Sequence, residues 1–249
     1  MKVIIVIPAR MKSKRFPGKP IKKILGIPMI IRVIRICEEI IKKENIYVAT
    51  DSKKISNLVK KNGFNSVITS KLHLTGTDRV AEAASKIRGD IFINVQGDEP
   101  LISAKDIKIV LEAKIKNRNK IICGFSKINK NEDPRSNSIP KVVINEENEL
   151  IYISRSPIPG SKKKLKEYNK QVCIYAFNKS ELNLFKNFNR KGKLEAIEDI
   201  EILRFFELKK RILMVKTCGN SIAVDYPRDI GKVEKIIIRN EKRNRTKSI

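Results

Sequence analysis

The sequence has few of the residues that build metal centres, disulfide frameworks and membrane spans. Its 249 residues include one histidine, His73, four cysteines and no tryptophan, and no two cysteines form a C-x-x-C pair. This scarcity argues against a zinc site and a disulfide framework, and it favours a reducing cytoplasm. The apolar runs fall short of the roughly 18 residues that a membrane span needs, and the first residues lack a signal-peptide pattern. We therefore expect a cytoplasmic protein that is not in a membrane.

Acidic residues are also scarce, with 27 Asp and Glu against 54 Lys and Arg, which gives a net charge of +27. Such an excess would attract nucleic acid or other polyanions. The basic residues are spread along the whole chain, however, and only residues 239–247 form a dense basic run. This pattern favours lysines on solvated helix faces, so we expect no nucleic-acid partner and a basic tail at residues 241–249. A polyanion-binding protein without catalysis is the distant alternative.

What the chain does have is a hydrophobic fraction of 41%, enough for a buried core at this length. Continuous apolar runs at residues 3–8, 46–49 and 91–95 are typical of strands buried on both faces. Further strands are predicted at 66–69, 141–144, 150–153, 172–177, 212–215 and 222–224, helices at 28–43, 51–61, 78–87, 193–208 and from Pro227, and a loop at 161–170. The alternation predicts an α/β fold with a mostly parallel sheet between helices. Because no linker interrupts it, residues 1–240 are predicted to form one domain.

The loop after the first strand, residues 8–20, is the first candidate site, since open sheets of this kind bind ligands where their strands end. It carries Arg10, Arg15 and Lys19 together with Gly18. A triphosphate needs cations and backbone N–H groups, and a strand-to-loop turn supplies both. The loop is not a Walker A motif, because G-x-x-x-x-G-K-[ST] is absent. Basic loops are common in so basic a chain, so this loop alone leaves phosphate binding and a solvated surface equally open.

Two aspartates form the second candidate site. Asp98 follows a buried strand in Gln96-Gly97-Asp98, and Asp225 follows the apolar segment at residues 222–224. Mg²⁺ carried in on a nucleotide takes one or two such carboxylates, with phosphate oxygens and water completing its shell. Either aspartate alone could cap a helix or shape a turn. The two at equivalent strand ends indicate a magnesium site.

The motifs together resemble those of the 3-deoxy-manno-octulosonate cytidylyltransferase family. The similarity runs in order over nearly the whole chain: Pro8 to Pro20, Thr69 to Arg79, Val95 to Ile102, Tyr152 to Pro159, Ile174 to Phe177, Leu194 to Arg204, and Val224-Asp225. It implies a Rossmann-like nucleotidyltransferase fold with a smaller dimerisation and sugar-binding lobe at about residues 130–210. The implied enzyme is a homodimer that transfers CMP from CTP to 3-deoxy-manno-octulosonate (Kdo), an acidic eight-carbon sugar. The products are pyrophosphate and CMP-Kdo for lipopolysaccharide synthesis.

The resemblance also assigns roles to residues by position. The catalytic residues implied are Lys19, Arg10, Asp98 and Asp225, of which Asp98 and Asp225 hold Mg²⁺. The CTP site implied consists of Pro8, Ala9, Arg10, Arg15, Lys19, Thr69, Ser70 and Arg79. The sugar site implied consists of Gln96, Arg155, Gln171, Tyr175 and Glu201. His73 lies in the second motif, and we expect it to be structural or a simple contact.

The sequence departs from the family pattern mainly in the predicted sugar site. Gln171 and Cys173 replace the histidine and glycine of a usual His-Ile-Gly-Ile-Tyr stretch, and Val-Asp-Tyr-Pro-Arg-Asp at 224–229 replaces Val-Asp-Thr-Pro-Glu-Asp. A glutamine can hydrogen-bond a hydroxyl but cannot present a positive charge to a sugar carboxylate. The acceptor is therefore open between Kdo, its 8-amino analogue and a sialic-acid-like ulosonic acid.

Overall fold

The computed structural model describes residues 1–13, 15–162 and 167–247, with side chains up to residue 243. In these ranges the strands are β1 (Val3–Ala9), β2 (Lys23–Ile24), β3 (Ile27–Pro28), β4 (Ile46–Thr50), β5 (Asn65–Ile68), β6 (Ile91–Val95), β7 (Ile121–Lys127), β8 (Lys141–Ile144), β9 (Leu150–Ser154), β10 (Asn169–Asn178) and β11 (Ile212–Lys216). The α-helices are α1 (Met29–Glu38), α2 (Lys53–Lys61), α3 (Gly76–Lys86), α4 (Ala104–Lys116), α5 (Lys179–Phe188), α6 (Lys193–Glu198), α7 (Arg204–Glu207) and α8 (Pro227–Lys247).

One twisted sheet organises the fold, with the strand order β11-β7-β10-β6-β1-β4-β5. Strands β6, β1, β4 and β5 are mutually parallel, and β11 is parallel to β7. Strand β10 runs antiparallel to both of its neighbours, β6 and β7, and the β8–β9 hairpin attaches beside its first residues. The predicted mostly parallel α/β sheet is confirmed. The reversed β10 brings residues from its beginning to the edge where the parallel strands end.

Helices cover both faces of the sheet because its central strands are apolar on both sides. All five residues of β6 are buried. One core cluster lies under α3 and α5, and a second lies under α1, α2 and α4. A small third cluster, with Phe16, Met29 and Val233, holds α8 against the loop after β1. The loop of the first candidate site is thereby fixed to the end of the chain.

Two predicted elements are wrong. The helix expected at 193–208 is broken: α6 ends at Glu198, its C-cap residue Asp199 has a left-handed backbone with φ 50°, and a 3-10 turn at Glu201–Leu203 precedes α7. The strand expected at 222–224 is an extended loop without a strand partner, and its Val224 N–H donates instead to the Asp98 carbonyl at 2.9 Å. In both places tertiary contacts along the cleft override a local pattern.

Other predicted boundaries shift by a few residues, and sequence reasoning passed over α4, β7 and α5 altogether. The loop predicted at 161–170 ends at Asn169, where β10 begins, and its residues 163–166 lie outside the described part. The predicted basic tail continues α8 up to Lys247, with its last two residues outside that part. Among the described residues, no helix is both long and apolar enough to cross a bilayer.

Candidate active site

A cleft of about 1060 Å³ opens where β1 and β6 end and where β10 begins. Most of the predicted site residues line it: Pro8, Ala9, Arg10, Arg15, Lys19, Arg79, Gln96, Asp98, Arg155, Gln171, Tyr175, Glu201 and Asp225. Thr69 and Ser70 do not line it. The topology therefore brings side chains from both halves of the sequence into one cavity, as expected for the strand ends of an open sheet.

Lys19 lines this cleft from the 3-10 turn that follows the β1 loop. Its ammonium contacts Oδ2 of Asp98 at 2.7 Å and Oδ1 of Asp225 at 3.5 Å. Asp98 follows Gly97, where a Cβ atom would stand 2.9 Å from the Pro8 carbonyl, so a glycine lets the β6 loop pack against β1. Asp225 is placed beside Asp98 by the backbone bond of Val224, although no strand precedes it.

The remaining cations of the β1 loop are less constrained. Arg15 donates from Nη2 to Oδ1 of Asp225 at 2.8 Å and is half exposed. Arg10 and Lys12 line the cleft on its exposed rim. Within the described ranges, neither has an acidic side chain at ion-pair distance. They supply positive charge that is not neutralised by the protein, as an incoming polyphosphate requires.

The pair of aspartates fits a magnesium ion that arrives with a nucleotide. In the part of the chain that is described, no group of three or more His, Cys, Asp or Glu side chains could hold a metal. A nucleotide-bound Mg²⁺ needs only one or two carboxylates, because phosphate and water complete its shell. Asp98 and Asp225 converge on one ammonium, and their side chains are 34% and 26% exposed. Their hard oxygen donors therefore face a position that a cation already occupies.

Arg79 marks one end of the cleft, next to the ends of β4 and β5. Its Nη1 donates to Thr69 Oγ1 and, at 3.3 Å, to the Ser70 carbonyl. Its Nη2 lies 3.6 Å from Oδ2 of Asp51, which follows β4. Thr69 and Ser70 thus hold Arg79 in place, and their predicted position around the nucleotide stays a prediction. Sequence reasoning missed Asp51.

The other end of the cleft lies across β1 in the sheet order, at β6 and β10; it contains Gln96, Gln171, Tyr175 and Glu201. Gln171 Nε2 donates to the Tyr175 hydroxyl at 3.0 Å, within β10. Gln96 Nε2 donates to Oε1 of Glu201 at 3.4 Å, and the Thr77 N–H, in the first turn of α3, donates to Oε2 at 2.9 Å. Burial raises the pKa of Glu201 from its ordinary value. This end therefore presents uncharged or weakly acidic hydrogen-bonding groups.

Arg155 makes hydrogen bonds to backbone carbonyl groups at the rim of the cleft. Its Nε, Nη1 and Nη2 donate to the backbone carbonyls of Glu198, Asn137 and Asp199. The Glu198 carboxylate in turn accepts from Ser154 Oγ at 2.6 Å and from the Arg155 N–H at 2.8 Å. Arg155 lines the cleft as predicted. The hydrogen bonds of its guanidinium also hold in place the segment that follows α6.

His73, in the second motif, is held by a hydrogen bond to Glu82. His73 Nε2 contacts Oε2 of Glu82 at 2.5 Å, and Glu82 also accepts from the Ser70 N–H at 2.8 Å. Hydrogen bonds from Lys86, Ser70 and His73 outweigh the opposing effect of burial and lower the pKa of Glu82 to about 2. His73 therefore holds the loop between β5 and α3, in line with its expected structural role.

Several further cleft residues are not among the predicted site residues, although Cys173 was noted as a departure from the family pattern. Lys12, Ser13, Thr75, Asn137, Ser138, Cys173 and Asp199 also line the cavity. Lys12 and Ser13 were inside the motif that was identified, and they could have been included on that basis. Asn137 and Ser138 lie in an irregular segment, and only the bonds around Arg155 place them at the rim.

Comparison with known proteins finds relatives that match most of this chain. The cytidylyltransferase family model matches residues 4–212. The chain is 39% identical over 237 residues to 3-deoxy-manno-octulosonate cytidylyltransferase of a Nitratiruptor species, with coverage of 92% of this chain and 98% of the relative. It is 32% identical over 237 residues to the protein of that name from Escherichia coli, with coverage of 95% and 96%.

Solved structures agree with the sequence comparison. The structure of CMP:2-keto-3-deoxy-manno-octonic acid synthetase complexed with CTP superposes with a TM-score of 0.89 at 32% identity, covering 96% of this chain and 100% of that one. The inositol-1-phosphate CTP transferase from T. maritima superposes with a TM-score of 0.67 at 17% identity, covering 94% of each chain, which shows a shared fold only.

Proposed function

Since the chain belongs to the 3-deoxy-manno-octulosonate cytidylyltransferase family, we propose that its cleft transfers CMP from CTP to Kdo or a close analogue. One observation carries the proposal beyond family membership. Lys19 contacts both Asp98 and Asp225 in the cleft, and in the sheet order Arg79 lies beside the ends of β4 and β5 while Tyr175 lies on β10, on the other side of β1. A nucleotide triphosphate and a polar acceptor can thus lie on opposite sides of the same charged centre.

In the reaction, the anomeric hydroxyl oxygen of the sugar attacks the α-phosphorus of CTP. The bond from that phosphorus to the bridging oxygen breaks, pyrophosphate leaves, and the hydroxyl proton passes to solvent. Arg10, Arg15 and Lys19 lie where they neutralise the charge that grows on the phosphate oxygens. Mg²⁺ held by Asp98 and Asp225 would supply further charge neutralisation and fix the phosphates.

The acceptor end orients the sugar through hydrogen bonds. Tyr175, Gln96 and Glu201 offer donors and acceptors to the hydroxyl groups of an eight-carbon sugar. Gln171 reaches the cleft because β10 runs against its neighbours. It supports Tyr175 and brings no charge, so the sugar carboxylate must find its cations elsewhere in the cleft.

The decisive test is pyrophosphate release with Mg²⁺ and Kdo, with CTP, UTP, ATP and GTP supplied in turn. Release with CTP alone, and its loss in Asp98→Ala, is the expected result. Asp90→Ala serves as the matched control, because Asp90 lies at the other end of the sheet and accepts from the Lys2 N–H. A sialic acid in place of Kdo tests the alternative acceptor. A folded protein that is silent with every nucleotide and sugar, and binds nucleic acid in a salt-sensitive way, contradicts the proposal.

We also propose a homodimer formed through the lobe at residues 130–210. Ile151 on β9 and Ile197 on α6 support it, because these apolar side chains are 54% and 80% exposed on neighbouring elements of that lobe. Light scattering during size exclusion gives the mass directly. A dimer that dissociates in Ile197→Asp supports this surface, whereas a monomeric wild-type chain contradicts it.

A further inference from the structure

The sheet order separates the two substrates of the proposed reaction. The phosphate-binding loop follows the central strand β1, while the acceptor end is built on β6 and β10 to one side of it. The strands on the other side are β4 and β5. A nucleotide with its triphosphate over β1 and its α-phosphate open to the acceptor therefore extends its base toward β4 and β5, where Arg79 lies.

Arg79 is unusual there because its guanidinium is almost completely buried, with 4% of the residue exposed. Nη1 is engaged by Thr69 and Ser70, as described above. Among the described residues, Asp51 is the acidic side chain within ion-pair distance of Arg79. Burial lowers the pKa of Arg79, and the Asp51 carboxylate opposes that effect. The direction of this guanidinium is therefore set by Thr69 and Ser70 at Nη1 and by the Asp51 carboxylate at Nη2.

Asp51 is only loosely paired with Arg79. Its Oδ2 lies 3.6 Å from Arg79 Nη2, beyond good hydrogen-bonding distance, and its Oδ1 is buried with no hydrogen-bond partner in the described part of the chain. A buried acceptor left unsatisfied is unfavourable, and such atoms in native proteins call for an explanation. The nearest charged group that Asp51 can influence is the Arg79 guanidinium.

We propose that Asp51 is a positioning residue that makes the cleft select cytosine over uracil by holding Arg79 toward the base. The inference rests on the proposed function and deepens it. A guanidinium has donors only. Cytosine presents acceptors at O2 and N3, whereas uracil carries an N–H donor at N3 and opposes a donor placed there. An Arg79 guanidinium fixed in this direction therefore favours binding of cytosine over uracil. A guanidinium that is free to turn away no longer discriminates between the two bases.

The test compares kcat and KM for CTP and UTP, with saturating Kdo, in the wild type, Asp51→Asn and Arg79→Lys. Asp51→Asn keeps the shape of the side chain and removes its charge. Asp90→Asn is the matched control at the far end of the sheet. We expect Asp51→Asn to raise KM for CTP and to lower the CTP-to-UTP ratio of kcat/KM by about tenfold or more. The KM for Kdo stays unchanged.

Arg79→Lys keeps the charge but loses the planar fork, so it lowers the same ratio. The double variant should lose no more selectivity than the larger single loss, because both changes act through one guanidinium. An Asp51→Asn enzyme that melts earlier but keeps the wild-type ratio overturns the inference. So does a loss of kcat that is equal for both nucleotides. Absence of activity in the wild type with any nucleotide would instead refute the proposed function.

Discussion

The ammonium of Lys19 lies 2.7 Å from a carboxylate oxygen of Asp98, and this contact joins the loop after β1 to the end of β6. Lys19 is nearly buried, with 9% of the residue exposed. A buried cation on two partly exposed carboxylates is well placed to follow negative charge that develops on a neighbouring phosphate. This relationship leads to a prediction about turnover.

Lys19→Ala should lower kcat by about 100-fold or more while changing KM for CTP only a few-fold. The ammonium is expected to act on charge that appears in the transition state, and such interactions affect kcat more than binding. Steady-state pyrophosphate release measures both constants. Lys22→Ala is the control, since Lys22 is an exposed lysine three residues further on. A large rise in KM with an unchanged kcat would contradict this role.

Arg204→Met should destabilise the fold by about 3–5 kcal/mol, because it leaves buried carboxylates without their cation. Arg204 is fully buried and donates from Nε to Glu195 at 2.7 Å and from Nη1 to Asp78 at 2.5 Å. Urea denaturation measures the free energy of unfolding. Arg135→Met is the matched control, because the Arg135 side chain is 83% exposed. A loss below about 1 kcal/mol would show that the surroundings rearrange without this arginine.

The free energy of unfolding should carry a component from Glu99 that falls as the pH rises from 4.5 to 7. Burial, and then the neighbouring Asp98 carboxylate, raise the pKa of Glu99 from 4.5 to about 7. Between these values the folded chain holds a proton that the unfolded chain has released, so stability decreases with pH. The decrease should be about 2 kcal/mol, since Glu99 is partly exposed and solvent screens part of the effect.

Denaturation of Glu99→Gln between these pH values, without nucleotide or divalent metal, checks the Glu99 component. The variant should lack it and should be more stable than the wild type above pH 7. Glu44→Gln makes the same change at an exposed site. Parallel pH profiles for Glu99→Gln and the wild type would contradict the prediction.

Gln171→His should raise the preference for Kdo over its 8-amino analogue by several-fold to about tenfold. A histidine beside Tyr175 can carry a positive charge that attracts the sugar carboxylate and repels the added ammonium. Competition between the two sugars at fixed CTP measures the ratio. Gln171→Glu should shift it in the opposite direction. Equal ratios in all three proteins would show that Gln171 does not govern the choice of sugar.

Much of the fold follows from apolar runs. Strands β1, β4 and β6 are continuous stretches that only a doubly covered sheet can bury, so their parallel arrangement was predictable. The reversal of β10 was not, since an apolar run carries no direction. The break at Asp199 was also hidden, because the spacing of Glu195, Glu198 and Glu201 fits a continuous helix. In the structure, Glu195 accepts from Arg204 and Glu198 accepts from the Arg155 N–H. Glu201 lines the cleft and accepts from the Thr77 N–H.

The candidate site was predictable where residues fall in motifs next to strand ends, as Lys19 and Asp98 do. Asp51 was not, because it reaches the site through Arg79 rather than directly. Thr69 and Ser70 also contact Arg79, and their place around the nucleotide stays a prediction. A motif identifies which residues gather at a site, but packing decides which of them reach the substrate.

Under the proposed function, the loop that binds the phosphates follows the middle strand β1, with the base toward β4 and β5 and the acceptor toward β10. Substitutions in β10 are then expected to change the acceptor while the nucleotide and the chemistry stay the same. A new acceptor specificity would thus need only a few altered side chains of one reversed strand, with no intermediate that has lost its nucleotide.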